Sequence, residues 1–286
     1  MPAADIEHRA LRPGDIASCL RLSTEAGWNQ TAEDWALVIA SGPADGLFAA
    51  GRLIATAAAI HHGAGHGWIA MVLVDPAERG RGHAKRLLGA MIDRLAGEGR
   101  GAGLDATALG QPLYEKLGFV AIGTFTRYAV TAAPLPAPSA PSTGNVIRPA
   151  TAADAAAMAA YDAPAFGADR AAILAHLIAR VPSAAHVALR EGALAGYVLA
   201  RDGVRATQIG SLVADDGATA SALLQAALGM VSGPVFIDAA DAHAPFCTLL
   251  QDAGFAAQRT FTRMVLGPAR TDDPQKVFAI VGPEFG

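Results

Sequence analysis

Cysteine is scarce in this sequence. Cys19 and Cys247 are the only two among 286 residues, and neither stands in a spacing that would hold a metal ion. One disulfide or two free thiols would both fit this count, and a reduced, cytoplasmic protein is the simpler interpretation. Cys19 falls within a predicted helix, where we expect it to be buried.

The sequence also lacks a strong excess of one charge and any long apolar run. Lysine and arginine total 22 against 26 aspartate and glutamate residues, so a broad nucleic-acid surface is not expected. The most apolar stretch, residues 47–60, is interrupted at Gly51-Arg52 and is shorter than the ~20 residues that span a bilayer. The first residues, MPAADIEHRAL, lack the positive start and apolar centre of a signal peptide. We therefore expect neither a nucleic-acid partner nor a membrane segment.

Apolar sequence is abundant, at 52% of residues, and its pattern occurs twice. IEHRALRPGDIASCL near the start resembles NVIRPATAADAAAMA in the middle, and both copies later contain an Asp-Ala pair, a Gly-Phe pair and a Thr-Phe-Thr-Arg run. Between the copies lies a stretch rich in proline, alanine and serine. The sequence thus predicts one unit at 1–133, a linker at 134–145 and a second unit with a C-terminal tail at 146–286.

Within each copy, strand patterns alternate with helix patterns, which is typical of an α/β layered domain. In the first copy we expect helices that begin at Asp15 and Thr31, a hairpin around Gly51-Arg52 and a short helix that ends at Gly118. Residues 82–98 place their apolar side chains on one helical face. In the tail, VFAIV is predicted to add a strand.

The stretch VDPAERGRGHAKRLL, residues 74–88, has the features of an anion site. A strand and a proline turn lead into a helix, whose first N–H groups lack internal partners and carry partial positive charge. Gly80 and Gly82 allow close backbone approach, and Arg79 and Arg81 can add charge-assisted hydrogen bonds. These features predict a phosphate or pyrophosphate cradle.

Two better-known phosphate loops are absent. No G-x-x-x-x-G-K-[ST] occurs, which excludes the nucleotide-hydrolase loop. Residues 97–102, GEGRGA, fit G-x-G-x-x-A but follow a helix and precede a strand, the reverse of the dinucleotide-binding order. We interpret them as a helix stop and a loop.

The pattern V-x-V-x-P-x-x-R-G-x-G-x-A, here Val72 to Ala84, resembles motif A of the GNAT superfamily of acyl-CoA-dependent N-acyltransferases. LYEKLGF, residues 113–119, resembles the end of motif B in that family. The two-copy layout is similar to a bacterial tandem subgroup with a degenerate second copy. The resemblance implies a mixed α+β fold of the α/β class. Each unit would be a mostly antiparallel sheet with a splayed pair of parallel central strands, covered by helices.

The resemblance also implies the chemistry: transfer of an acetyl group from acetyl-CoA to a primary amine of a small molecule, by direct attack and without a metal. Tyr114 would be the general acid that protonates the departing thiolate. Thr107 departs from the family, which often has Asn there. The residues implied to bind the cofactor are Val72, Leu73 and Val74 on the strand and Arg79, Gly80, Arg81, Gly82, His83, Ala84 and Lys85 in the cradle.

The acceptor side is less defined by sequence. A phenol of pKa ~10 can protonate a thiolate, whereas an alkylammonium of pKa ~10.4 must lose a proton before it attacks. The acceptor-binding candidates are Glu25, Trp28 and Asp105, although Asp105 has a counterpart in Asp238 and could equally be structural. We expect Trp28 or Trp35 to be in the core. The candidate general bases are Glu25, Asp34, Asp105, His61 and His62.

The second copy is predicted to be unable to use coenzyme A. Its equivalent of the cradle, LVADDGATASALL, lacks arginine and places Asp215 and Asp216 where phosphate would lie. Leu250 takes the position of Tyr114. The second copy would act as a packing partner, complete the acceptor pocket or support a homodimer. Two other functions remain open, namely a non-catalytic acyl-CoA sensor and a peptide or protein N-acetyltransferase.

Overall fold

The computed structural model describes residues 6–131, 144–267 and 273–286. The predicted linker, 134–145, lies outside these ranges except for its last two residues. In the first half the elements are β1 (Ile6–Ala10), α1 (Ile16–Glu25), α2 (Ala32–Ala40), β2 (Ala44–Ala49), β3 (Arg52–His62), β4 (His66–Val74), α3 (His83–Gly97), β5 (Gly101–Thr107), α4 (Gln111–Lys116) and β6 (Val120–Val130).

The second half repeats this order and adds one strand. Its elements are β7 (Val146–Pro149), α5 (Ala155–Phe166), α6 (Ala171–Arg180), β8 (His186–Arg190), β9 (Ala193–Arg201), β10 (Thr207–Ala214), α7 (Gly217–Leu228), β11 (Val235–Ala240), α8 (Ala244–Asp252), β12 (Ala256–Leu266) and β13 (Val277–Ile280). The added strand is the one predicted from VFAIV.

Local sequence signals account for the helix boundaries. The helix predicted to begin at Thr31 is α2, which Thr31 caps in a capping box with Asp34. Trp35 and Cys19 are fully buried, which confirms the expectation for each. In the described part of the chain, no helix has both the length and the apolar character needed to cross a bilayer.

All thirteen strands form one sheet, in the order β1-β2-β3-β4-β5-β12-β6-β11-β13-β10-β9-β8-β7. Among the strand pairs of the described residues, two are parallel, β4 with β5 and β10 with β11. The mixed, mostly antiparallel architecture predicted from the sequence is therefore confirmed.

The last long strands of the two halves are exchanged. β12 of the second half pairs with β5 of the first, and β6 of the first half pairs with β11 of the second. The two exchanged strands also pair with each other, so that Phe125 lies opposite its own counterpart Phe261. The halves therefore share the centre of one sheet.

Two buried ion pairs cross this exchange. Arg263 of β12 donates to both oxygens of Asp105 on β5, at 2.9 and 2.8 Å. Arg127 of β6 donates to both oxygens of Asp238 on β11, at 2.7 Å each. The repeated Asp-Ala pair and Thr-Phe-Thr-Arg run thus supply the two partners of each pair, one from each half.

The parallel pair β4–β5 opens soon after it begins. Its register covers only residues 66–68 and 101–103. On the other side of β4, Met71 and Val72 lie opposite the single residue Ala57, and Met71 has a φ of 55°. Such a bulge bends a strand, so the later part of β4 separates from β5 and leaves an opening in the sheet.

The corresponding opening of the second half is filled by the chain itself. β13 pairs antiparallel with β10 and with β11. Beyond this strand the tail continues to the first half, where Trp68 Nε1 donates to the carbonyl of Pro283 at 2.9 Å.

We predict that breaking one exchanged ion pair is costly, whereas removing it whole is not. Asp238→Ala should lower the free energy of unfolding by about 3–5 kcal/mol, because it leaves Arg127 buried without its counter-charge. The double variant Asp238→Leu/Arg127→Met should recover most of this loss. Urea denaturation followed by circular dichroism measures both.

The exposed pair Arg21–Glu25 serves as the control. Glu25→Gln should change the free energy of unfolding by less than about 1 kcal/mol. An Asp238→Ala variant as stable as this control would contradict the assigned role of the crossing pairs.

Candidate active site

The turn between β4 and α3 leaves a helix start open. Gly82 is the N-cap of α3 with a φ of 83°, and no side chain caps this helix. Gly80 has a φ of 77°, and a Cβ on either glycine would meet no other atom within 4 Å. The first N–H groups of α3 therefore face open space, with the partial positive charge of a helix start.

The charged residues around this turn are mostly exposed. Arg79 and Lys85 are exposed, and Arg81 Nη1 lies 3.0 Å from Glu78 at the surface. His83 is buried in the first turn of α3, and Ala84 is partly buried. The structure thus brings all seven predicted cradle residues to one turn, directly after the strand that carries Val72, Leu73 and Val74.

The equivalent turn of the second half is closed by its own carboxylates. Asp216 is the N-cap of α7 and accepts hydrogen bonds from the backbone N–H and hydroxyl of Thr219, at 2.8 Å each. Burial raises the pKa of Asp216, but hydrogen bonds from Thr219 and Arg190 outweigh this and lower it overall. Asp215 bonds to Tyr161. This helix start is therefore already occupied by negative charge.

A cavity of about 90 Å³ lies beside the opening between β4 and β5. A single water molecule needs about 10–15 Å³ of such space, so the cavity has room for several water molecules or small chemical groups. Both halves of the chain line it. From the first half come Trp28, Asn29, Gln30, Ile69, Ala70, Met71, Val72, Leu104, Asp105, Thr107, Tyr114 and Arg127, and from the second Arg259, Phe261, Pro283 and Glu284.

Tyr114 reaches this cavity from α4. Its ring packs edge-on against Phe119, with the ring centroids 6.0 Å apart. A Cβ at Gly110 would lie 2.9 Å from the ring, so this glycine leaves the space that the ring occupies. Burial raises the pKa of Tyr114 to about 12, which keeps the hydroxyl protonated at neutral pH.

The three predicted acceptor residues are placed differently. Trp28 is partly buried and lines the cavity. Asp105 also lines it, but both its oxygens are held by Arg263. Glu25 is exposed, accepts from Arg21 at 2.8 Å and is not among the residues around the cavity. The structure therefore brings together Trp28 and Asp105 but not Glu25.

The remaining base candidates are held elsewhere. Asp34 is fully buried, and its oxygens accept from Arg180 and Arg201 of the second half at 2.7 and 2.8 Å. His61 lies 3.0 Å from Glu98, and the ring of His62 packs 5.1 Å from that of Phe166. None of the three lines the cavity.

Within residues 6–131, 144–267 and 273–286, no group of three or more His, Cys, Asp or Glu side chains is placed to hold a metal ion.

The sequence did not predict the four cavity residues that come from the second half, Arg259, Phe261, Pro283 and Glu284. Glu284 is buried and pairs through Oε1 with Arg201, while its Oε2 has no hydrogen-bond partner among the described residues. Burial raises the pKa of Glu284, and the charge of Arg201 opposes this rise. Arg259 stands where the first copy has Gly123, a difference visible in the aligned repeats. The place of Arg259 at the cavity of the first half results from the strand exchange, which the alignment of the repeats does not reveal.

Two sequence-family models match the chain, both described as an acetyltransferase (GNAT) domain. One matches residues 43–121 and the other residues 158–279. Among curated proteins, the uncharacterized N-acetyltransferase YitH of Bacillus subtilis (strain 168) is 26% identical over 257 residues, which are 84% of each chain.

Solved structures share the fold over nearly the whole length. A structure of a proposed acetyltransferase from Pyrococcus horikoshii superposes with a TM-score of 0.80 at 20% identity, covering 98% of this chain and 96% of that one. A tandem GNAT protein from the clavulanic acid biosynthesis pathway superposes with a TM-score of 0.63 at 16% identity, covering 93% and 100%.

Proposed function

Since the chain belongs to the GNAT acetyltransferase family and carries two of its domains in tandem, we propose that it transfers the acetyl group of acetyl-CoA to a primary amine of a small molecule. The observation that carries this proposal lies in the first half. There the opened strand pair and a protonated tyrosine line one cavity, and the strand β4 at this opening leads into an uncapped helix start. In the second half the helix start is capped by Asp216 and the opening is filled by β13.

The residues of the first half fit coenzyme A. A pyrophosphate would accept hydrogen bonds from the first N–H groups of α3, with Arg79, Arg81 and Lys85 adding charge. Gly80 and Gly82 supply the left-handed backbone and the free space that this approach needs. The part of β4 that has left β5, Ile69 to Val74, would offer its backbone to the pantetheine arm.

Acetyl-CoA supplies a thioester carbonyl that an amine can attack. The role of Tyr114 is to hold a proton at its hydroxyl oxygen and give it to the leaving sulfur. Because burial keeps this phenol protonated, it suits a donor and not a base.

A separate group must take the proton that the amine loses. Of the five bases considered from the sequence, only Asp105 lines the cavity, and Arg263 holds both its oxygens. We propose Glu284 for this role, since its Oε2 has no hydrogen-bond partner among the described residues and its pKa is raised.

The residues that line the cavity also bear on the alternatives. A peptide or protein acceptor would need a broad open groove, whereas Pro283 and Glu284 of the tail form part of the wall of this cavity. This favours a small molecule. A non-catalytic acyl-CoA sensor would use the same cradle, so turnover is what separates it from an enzyme.

We predict that Gly82→Glu weakens coenzyme A binding about tenfold or more, because it removes a favourable anion–helix interaction of ~1–2 kcal/mol and adds a negative charge. Isothermal titration calorimetry with coenzyme A measures the effect. Gly192→Glu is the matched control, since Gly192 has the same φ of 83° and equally open surroundings in the second half.

Both substitutions force a left-handed residue and should cost ~1–2 kcal/mol of stability. Only Gly82→Glu should change the affinity. Equal affinity in the two variants would place the cofactor elsewhere.

We predict that Tyr114→Phe lowers kcat by about 10²–10⁴-fold, the usual contribution of a general acid, without changing coenzyme A affinity. Release of free thiol measures the rate. Because the pKa of Tyr114 is raised to about 12, the wild-type rate should not fall between pH 8.5 and 10.5 through loss of this proton. A sensor would show coenzyme A binding and no dependence on Tyr114.

A further inference from the structure

Arg259 projects into the cavity from the exchanged strand. β12 runs antiparallel to β5, with Phe261 opposite Thr107 at the end of β5, so Arg259 lies on the part of β12 that extends past this end. Side chains alternate along a strand, which places Arg259 on the same face as Phe261 and Arg263. All three therefore point to the side of the sheet on which the cavity lies, and Arg259 and Phe261 line it.

Arg259 differs from the other arginines at the centre of the sheet. Arg127 and Arg263 each make two hydrogen bonds of 2.7–2.9 Å to an aspartate. Among the described residues, no carboxylate lies within ion-pair distance of Arg259, and no acceptor for its guanidinium is found. The guanidinium thus reaches the cavity with its donors unused.

Its surroundings increase the demand for a negative partner. Arg259 lies directly opposite Arg127 in the β12–β6 register. Burial lowers the pKa of Arg259, the charges of Arg127 and Arg205 lower it further, and the charge of Asp238 opposes this. A guanidinium stays protonated in proteins, so its charge must be balanced by a ligand or by solvent.

Arg259 lies at the same cavity as Tyr114, and the equivalent positions of the repeat hold neither an arginine nor a tyrosine. A second cavity, the counterpart of the first, is lined by Gly123, Phe125, Ala240 and Arg263. There Gly123 stands in place of Arg259, and Leu250 replaces Tyr114 in the repeat. An arginine needed only for the sheet would have served both halves equally.

The phosphates of coenzyme A are not the expected partner of Arg259. Arg259 lines the cavity together with Tyr114 and Thr107, whereas none of the cradle residues 79–85 is among the residues around this cavity. The anion that Arg259 meets would therefore belong to the acceptor.

We infer that the acceptor amine also carries a carboxylate, which the planar guanidinium of Arg259 binds through paired hydrogen bonds. The substrate class is then an amino acid or a similar amine acid, and a neutral or purely cationic amine would be a poor acceptor. This inference rests on the proposed function and adds a specificity-determining residue from the second half.

The test assays the full-length protein with sets of three related acceptors. Each set contains an amino acid, its carboxamide and the amine that lacks the carboxyl group. The wild type should show a kcat/KM about 10- to 100-fold higher for the carboxylate, as expected for a hydrogen bond to a charged group. Arg259→Gln should abolish this preference and leave the KM for acetyl-CoA unchanged. Arg259→Lys should restore part of it, and Arg148→Gln, at a partly buried ion pair with Asp154 on the edge strand β7, should leave the preference unchanged.

A thermal-shift titration with the same amines, without acetyl-CoA, tests Arg259 independently of turnover. Carboxylates that stabilise the wild type but not Arg259→Gln, with no thiol release from any amine, would support this inference and refute the proposed function. Thiol release that does not distinguish carboxylate from carboxamide, or a preference that survives Arg259→Gln, would overturn the inference and leave the acetyltransferase standing. A wild type that gives neither a thermal shift nor turnover with any carboxylated amine would also overturn it.

Discussion

Two aspartate–arginine pairs cross the centre of the sheet, and each joins one half of the chain to the other. All four side chains are nearly removed from solvent, so the charges are stable only while both exchanged strands are in place. The same constraint builds the cavity. When β12 pairs with β5, it carries Arg259 and Phe261 to a site whose cradle and tyrosine belong entirely to the first half.

The sequence predicted the elements well because their signals are local. Apolar periodicity, the helix start at Thr31 and the helix stop at Gly118 depend on neighbours a few residues away. The strand exchange has no such signal. β6 and β12 share the Thr-Phe-Thr-Arg run, and β5 and β11 share the aspartate that receives the arginine. Either strand could therefore pair with either partner, and only tertiary packing selects the exchanged arrangement.

The candidate site shows the same difference between residues with local sequence signals and residues placed by tertiary packing. The cradle and Tyr114 lie in contiguous motifs, so the sequence could name them. Asp105 could be read as structural or functional, and its position opposite Arg263 identifies the structural contact. Asp34 was one of the carboxylates considered as a base, yet buried arginines of the second half hold it. Glu284 stands in a tail with no motif, and its place at the cavity depends on the path of β13.

Because of the strand exchange, the helix start and the cavity wall are constrained by different parts of the sequence. Every residue of the open helix start is encoded in the first half, while part of the cavity wall is encoded in the second, whose own helix start is closed by Asp216. Substitutions in β12 can reshape that wall without disturbing the cradle. The two copies already differ in this way, since Gly123 of β6 corresponds to Arg259 of β12.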